Sequence, residues 1–231
     1  MPTLTDAELS ALRAHRWFAS CEPALQQHLI EAGRRQRLSA GQALFERGAA
    51  AGGLCCVLAG VLRIGAVGRD GSVSLLGYLE AGQWFGEVSL LDGLPRTHDA
   101  VAEGASQVWL LPQAPLEAWL DAHPRHWRAL ARLACAKLRS SFELIEDSSS
   151  RLPQDVRLAK RLVLAAHAYG SEGALRRRLR LPQEQLALML GISRQTVSKI
   201  LNTFAARRLV ALHYGEIELL DVPALRALGD V

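Results

Sequence analysis

PQEQLALMLGISRQTVSKIL, residues 182–201, reads as two short helices joined by a tight turn. Ala187 is small enough for a second helix to cross close by. Four residues on, Gly191 stands where the turn needs a backbone with positive φ. Ile192, Val197, Ile200 and Leu201 have the apolar spacing that seats the second helix on the first. Ser193 is placed to cap that second helix. Arg194, Gln195, Ser198 and Lys199 then fall on its outer face or first turn. The pattern is that of a helix-turn-helix, whose second helix can present Arg and Gln to base edges in a major groove. The candidate DNA contacts are Gln183, Ser193, Arg194, Gln195, Thr196, Ser198 and Lys199, with Ser193 and Thr196 directed at phosphate. An ordinary helical hairpin with a solvated polar face is the alternative. The small Ala and the Gly at this spacing, with Ser-Arg-Gln opening the second helix, favour DNA.

Charge supports that reading. The 231 residues carry a net charge of +4, unevenly placed. Residues 1–150 hold 14 Lys and Arg against 16 Asp and Glu, a balance of −2. Residues 151–231 hold 13 against 7, a balance of +6. The basic excess coincides with the helix-turn-helix, as binding to a phosphate backbone requires.

After the motif, Leu209–Leu212, a turn at His213-Tyr214-Gly215, and Ile217–Leu220 predict a hairpin. Before it, Arg176–Leu181 alternates basic and apolar residues like a short strand, and Val156–Tyr169 predicts a helix stopped by Gly170. Arg176, Arg177 and Arg178 read equally as phosphate contacts or as a solvated strand edge. The C-terminal part is a winged helix-turn-helix, joined through a hinge at Leu152-Pro153. Upstream, Arg125 to about Ser150 contains no Gly or Pro and predicts one long helix. Leu130, Ala134, Leu138, Ser141 and Ile145 form a narrow apolar seam along it, suited to pairing with a second copy or to packing on its own domain.

Between Arg34 and Leu111 short apolar runs alternate with Gly-bearing turns, as in an all-β sandwich or barrel. Asp70-Gly71 is a good hairpin turn within it. Pro112, Pro115 and Pro124 punctuate the exit from the sheet, and residues 4–32 predict helices broken around Pro23. No apolar run approaches the ~20 residues of a membrane span. The opening stretch MPTLTDAELSALRAHRW does not resemble a secretory leader, so a cytoplasmic protein without a membrane partner is expected. Cys21, Cys55, Cys56 and Cys135 form no C-x-x-C pair and no zinc-type spacing with His, so no metal is expected. Cys55 and Cys56, neighbours in an apolar run, would point to opposite faces of a strand. The sequence contains no G-x-S-x-G, no H-E-x-x-H and no P-loop, so no enzyme is expected.

A β domain, a long helix and a winged helix-turn-helix, in this order, resemble the Crp–Fnr superfamily of bacterial transcription regulators. The resemblance spans nearly the whole chain. Its most specific piece outside the DNA reader is FGEVSLLDGLPRTHDAVA, residues 85–102, which looks like the phosphate-binding cassette of cyclic-nucleotide-binding domains. The resemblance implies an α+β fold: an antiparallel β-roll of jelly-roll type with N-terminal helices over residues 1–124, a dimerisation helix and hinge over 125–151, and a winged helix-turn-helix over 152–231. It implies an allosteric homodimer, paired through the helix at 125–150, that binds a palindromic operator in double-stranded DNA and contacts RNA polymerase. It implies a cyclic nucleotide effector held by Gly86, Glu87, Val88, Arg96 and Thr97. A cyclic phosphate is a monoanion that wants a fixed guanidinium and hydroxyl donors, and Arg96 and Thr97 supply these. Glu87 can accept from a ribose hydroxyl. An internal Glu87–Arg96 ion pair in a degenerate cassette is the alternative.

This chain departs from the family's pattern in three places. His98-Asp99 follow Thr97, where the family commonly has small residues. Phe142 and Glu143 stand where cyclic-AMP receptors carry base-reading hydroxyls, with Ser140 or Ser141 entering if the register slips by a turn. Cyclic AMP, cyclic GMP, a cyclic dinucleotide and an empty pocket all remain open. Gln195 stands where relatives reading a TGTGA-like half-site carry Glu, so the half-site is expected to differ there. The rival reading is a constitutive regulator whose β domain is a scaffold, or senses redox through Cys55, Cys56 or Cys135. A haem sensor is its remote version.

Overall fold

A computed structural model describes residues 4–67, 73–149, 152–166, 177–179 and 181–228, without the side chains at 67, 73–74, 143–144 and 146–149. The Asp70-Gly71 turn, Arg176 and the helix stop expected at Gly170 lie outside the described residues. The chain divides into two compact units that part between Leu138 and Arg139.

The first unit opens with three helices rather than two: α1 (Asp6–Ala14), α2 (Arg16–Ala19) and α3 (Pro23–Glu31). Thr5 caps α1 in a reciprocal box with Glu8, and His15 breaks the chain between α1 and α2 in an extended conformation. Two four-stranded antiparallel sheets follow. One is ordered β1 (Arg34–Leu38), β8 (Ser106–Pro112), β3 (Gly53–Ala59), β6 (Trp84–Phe85). The other is ordered β2 (Ala43–Phe45), β7 (Asp99–Ala102), β4 (Val61–Val67), β5 (Val73–Glu80). The turn spacing implied such an all-β sandwich or barrel, and the resemblance implied a β-roll.

Strand β3 explains its own composition. Its GLCCVL run is buried throughout, because both faces pack against apolar layers. Cys55 and Val57 join Leu62, Phe85, Ala100 and Val108, drawn from both sheets. Cys56 and Leu58 face Leu12, Leu29, Trp84, Trp109 and Leu133, drawn from the helices and the first sheet. Cys55 and Cys56 do point to opposite faces. Trp109 pins α3 to the sheet: its indole N–H donates to the Leu29 carbonyl at 2.9 Å. Gly33 makes room for the ring, since a Cβ there would fall 2.0 Å from Trp109 Nε1.

The exit from the sheet is more regular than its three prolines suggested. Helix α5 (Gln113–Ala122) tolerates Pro115 in its first turn and buries Leu116 and Leu120. A 3₁₀ turn at Pro124–His126 then precedes α6 (Trp127–Ser149), which starts two residues later than expected. The expected seam is divided. Its Leu130 is fully buried, with Leu133, in the first unit's own core. Its Leu138 and Ile145 are exposed, and with Phe142 they are the large apolar side chains left exposed on α6 among the described residues, spaced four and three apart.

In the second unit, α7 (Gln154–Ala166) buries Val156, Leu158, Ala159, Leu162 and Ala166. Its Arg157 donates to the Leu190 carbonyl at 2.7 Å, satisfying an open helix end. That carbonyl ends α8 (Gln183–Leu190), which is followed by α9 (Arg194–Ala206). The three-stranded antiparallel wing is ordered β10 (Val210–His213), β11 (Glu216–Leu219), β9 (Arg178–Leu179), and α10 (Val222–Ala227) closes the unit.

Candidate functional sites

The cassette begins where β6 ends. Gly86 has φ 95°, and a Cβ there would meet the Gly53 carbonyl at 2.7 Å and Arg96 Nη1 at 2.9 Å. Glycine is therefore required twice over, by conformation and by space. Helix α4 (Glu87–Asp92) follows and ends at Gly93, φ 69°. The returning loop is tied to residues 48–49: Arg96 N–H donates to the Ala49 carbonyl at 2.9 Å, and Gly48 N–H to the Arg96 carbonyl at 2.8 Å.

These ties bury Arg96, which is only 5% exposed. Its Nη1 donates to the Gly86 carbonyl at 3.1 Å and its Nη2 to the Gly53 carbonyl at 2.8 Å. The guanidinium carbon lies 4.3 Å from the centre of the Phe45 ring, in cation–π contact. Nε is buried without a partner among the described residues. Burial holds the Arg96 pKa below its ordinary value.

Glu87 is also buried, but its partner is not Arg96. Lys137, on α6, donates to Glu87 Oε2 at 2.8 Å. The expected alternative of an internal Glu87–Arg96 ion pair is thereby corrected: the cassette's carboxylate is neutralised from the long helix, and the guanidinium is held by main-chain carbonyls. Thr97 is exposed, with its hydroxyl 3.0 Å from His98 Nδ1. Val88 is exposed on α4. Asp99 Oδ1 accepts from the Arg47 main chain at 2.6 Å, so it braces the loop from outside. Phe142 stands on the exposed stripe of α6, and the side chain of Glu143 lies outside the described residues.

Lys137 and Phe45 are site residues that the sequence reading missed. Lys137 left a signal: it falls on the stripe Ala129, Leu133, Lys137, the face of α6 that packs inward. Phe45 left none, because its position beside Arg96 comes from pairing β2 with β7. Burial pushes the Cys55 thiol up to about 12, against the opposing charges of Arg96 and Lys137, and pushes Cys56 well up also. The reactive form of cysteine is the thiolate, so neither is poised for redox chemistry. Cys135 alone among the four is exposed.

The second site is α9 with its preceding turn. Gly191 caps α8 at φ 64°, as expected. Ala187 is buried at the crossing, and Val197, Leu201 and Phe204 form the hidden side of α9. Ser193 Oγ accepts from Thr196 N–H at 3.1 Å, closing the predicted cap, and lies 2.9 Å from the Thr196 hydroxyl. That pair uses one of its two hydroxyl protons and leaves the other to donate outward. Arg194, Gln195 and Lys199 are exposed, whereas Gln183, Thr196 and Ser198 are half-buried. Arg178 faces Glu216 and Glu218 at 3.9 and 3.6 Å, so the strand edge is charge-balanced.

Comparisons with known proteins match the regions that hold the two candidate sites. Residues 35–123 match the cyclic nucleotide-binding domain family, and residues 156–228 match the Crp-like helix-turn-helix domain family. The CRP-like cAMP-activated global transcriptional regulator of Mycobacterium tuberculosis is 29% identical over 208 residues, covering 88% of this chain and 92% of the relative. A CRP/FNR-family transcriptional regulator from Thermus thermophilus has a similar structure, with TM-score 0.63 and 25% identity over 86% of this chain and 99% of that one. FixK2 from Bradyrhizobium japonicum shares the fold, with TM-score 0.74 and 18% identity over 86% of this chain and 98% of the other.

Proposed function

From the premise that this chain belongs to the Crp–Fnr superfamily of DNA-binding transcription regulators, we propose that it is a homodimer whose DNA affinity is set by a cyclic nucleotide in the β-roll. The observation that carries this reading is Arg96. A guanidinium that is almost wholly buried is held by neutral carbonyls and an aromatic face, with no anion bonded to it. No carboxylate lies within ion-pairing distance of it among the described residues. A cyclic phosphate supplies the missing anion, and the Arg96 Nε–H offers a further donor. Gly86, Glu87, Val88 and Thr97 complete the contacts, with Phe142 and Glu143 on the base side. Cyclic AMP and cyclic GMP are the candidate effectors. The relative's cAMP activation favours cyclic AMP.

The exposed Leu138, Phe142 and Ile145 on α6 support pairing with a second copy. Two α9 helices would then enter successive major grooves about 34 Å apart, giving a palindromic operator. Arg194 reads guanine and Gln195 reads adenine. Ser193 and Thr196 contact phosphate, and Gln183, Ser198 and Lys199 flank them. The effector acts by its preference for the DNA-competent state, through the dimerisation helix and hinge at 125–151. No helix among the described residues is long and apolar enough to cross a membrane, and the proposed site of action is the cytoplasm, alongside RNA polymerase.

Calorimetric titration with cyclic AMP, cyclic GMP and cyclic di-GMP tests the pocket, with Arg96→Ala as control. Saturable binding to wild type should weaken at least about a hundredfold in the variant, the scale of removing one partner of a buried charge interaction. Unchanged binding to a folded Arg96→Ala protein would overturn the pocket assignment.

A further inference from the structure

His98 and Asp99 are cassette residues outside the proposed effector contacts. The loop that carries them is held in place. Arg96 N–H donates to the Ala49 carbonyl at 2.9 Å, Gly48 N–H to the Arg96 carbonyl at 2.8 Å, and Arg47 N–H to Asp99 Oδ1 at 2.6 Å. These bonds zip residues 47–49 onto 96–99, with Thr97 and His98 between them. Within that frame His98 Nδ1 stands 3.0 Å from the Thr97 hydroxyl. Thr97 is exposed and His98 is half-buried. A threonine hydroxyl has one proton to give, and a neutral imidazole carries its proton on one ring nitrogen. Two arrangements therefore fit the contact: Thr97 O–H donating to a bare Nδ1, or Nδ1–H donating to the Thr97 oxygen. Only the second leaves the hydroxyl proton free for a phosphate oxygen. Burial first, then the Arg47 charge, hold the His98 pKa below its ordinary value, with Asp99 opposing them. At neutral pH the ring is accordingly uncharged. In the commoner neutral tautomer, with the proton on Nε2, Nδ1 accepts from Thr97.

We propose that His98 is a positioning residue that makes effector binding proton-linked: it holds the Thr97 hydroxyl proton in the empty protein and releases it by becoming the donor. The proposal rests on the nucleotide reading of the cassette, in which Thr97 donates to the cyclic phosphate. Once Thr97 turns its proton to the anion, a bare Nδ1 would face the Thr97 oxygen lone pair to lone pair. The ring removes that conflict by taking a proton from water on Nδ1 while Nε2 keeps its own. The imidazolium then donates to Thr97 Oγ, with its charge beside the bound anion. The charged groups facing His98 are Arg47, in the turn after β2, and Asp99, on β7. They have opposite signs, and both are present with or without effector. The added anion therefore makes the ring easier to protonate in the complex than in the empty protein. Binding takes up a proton, and affinity rises as pH falls from about 8 to about 5.5. A cyclic phosphate keeps its single negative charge over that range, so the proton goes to the protein. His98 thereby makes the pocket respond to effector and acid together.

The test uses the full chain with ring-¹⁵N histidine, the His98 signals being assigned by their loss in His98→Asn or, should that variant not fold, in His98→Gln. In the empty protein at neutral pH, Nδ1 should be an unprotonated, hydrogen-bonded nitrogen, and it should move when Thr97→Val removes its donor. Saturation with the tighter binding of cyclic AMP and cyclic GMP should convert Nδ1 of the wild type to a protonated nitrogen. Calorimetry in buffers of different ionisation enthalpy should show proton uptake on binding. Affinity should be roughly fivefold higher at about pH 5.5 than at about pH 8, the scale of a partly exposed charge pair. His98→Asn, whose amide can donate at every pH, should lose that pH dependence. A protonated Nδ1 in the empty protein overturns the proposal and leaves the pocket in place. So does nucleotide binding that leaves Nδ1 unchanged, or the same pH dependence in wild type and His98→Asn. A wild type that binds neither nucleotide overturns the nucleotide reading, and the proposal with it.

Discussion

In the cassette, Arg96, Glu87 and Lys137 are withdrawn from water and wired to named partners, whereas on α9 Arg194, Gln195 and Lys199 stand in solvent above a fully apolar underside. On the proposed function both regions meet an anion, and they prepare for it differently. A pocket for one small ligand strengthens each charge by excluding water, at the cost of holding that charge in place before the ligand arrives. A surface that tracks a long polyanion needs cations that water keeps mobile until phosphates and bases replace it. The pocket therefore depends on its protein partners, and the DNA reader on its helix geometry.

The largest expected difference concerns buried ionisable groups, of which the DNA reader has none among its described residues. Burial, with the Lys137 charge second, lowers the His15 pKa from 6.5 to about 4. The unfolded chain then takes up its proton first as pH falls. The stability that neutral His15 contributes is full above about pH 6.5 and is lost between about 6.5 and 4, amounting to roughly 3 kcal/mol. Urea denaturation at pH 7 and pH 4.5 should show that loss in wild type and a smaller one in His15→Phe. Equal losses would remove His15 from the account.

Next is the specificity of α9. Gln195→Glu restores an acceptor for cytosine N4 and should change the preferred base pair at one half-site position by about 2 kcal/mol, read by selection from random DNA. Recovery of one operator by both proteins would mean that Gln195 does not read a base. Ser193→Ala removes the cap of α9 and should lower stability by about 1 kcal/mol in thermal denaturation, with no effect on nucleotide binding. The smallest effect is at Arg208, the only described non-glycine residue at positive φ, 56°. It closes α9 through Arg208 N–H to the Ala205 carbonyl and Leu209 N–H to the Phe204 carbonyl, both at 2.9 Å, a position that favours Gly. Arg208→Gly should match or exceed wild-type stability by up to about 1 kcal/mol. A clear loss would show that the Arg208 side chain does more than end the helix.

The helix-turn-helix was legible almost residue by residue. Gly191, Ser193, Val197 and Leu201 take the conformations and burial that their spacing implied. Helix α5 was hidden by Pro115, a residue that breaks helix interiors but is admitted in a first turn. The seam of α6 held only in part, because periodicity identifies an apolar face without saying what covers it. Leu130 belongs to the protein's own core, whereas Leu138 and Ile145 of the same seam stay exposed, with Phe142 beside them.

By itself, then, the sequence determined the order of elements, the reading helix and its cap, the glycines at both turns, and the residue types of the cassette. These are set within a few residues of chain by sterics and local hydrogen bonds. Only the tertiary structure decided which buried charge meets which: Arg96 with the carbonyls of Gly53 and Gly86 and the ring of Phe45, Glu87 with Lys137, and His15 with neither nitrogen bonded. Lys137 lies 50 residues from Glu87 and Gly53 lies 43 from Arg96. Those pairings are fixed by how α6 and the two sheets pack, because a buried charge settles on whichever acceptor the fold brings within reach.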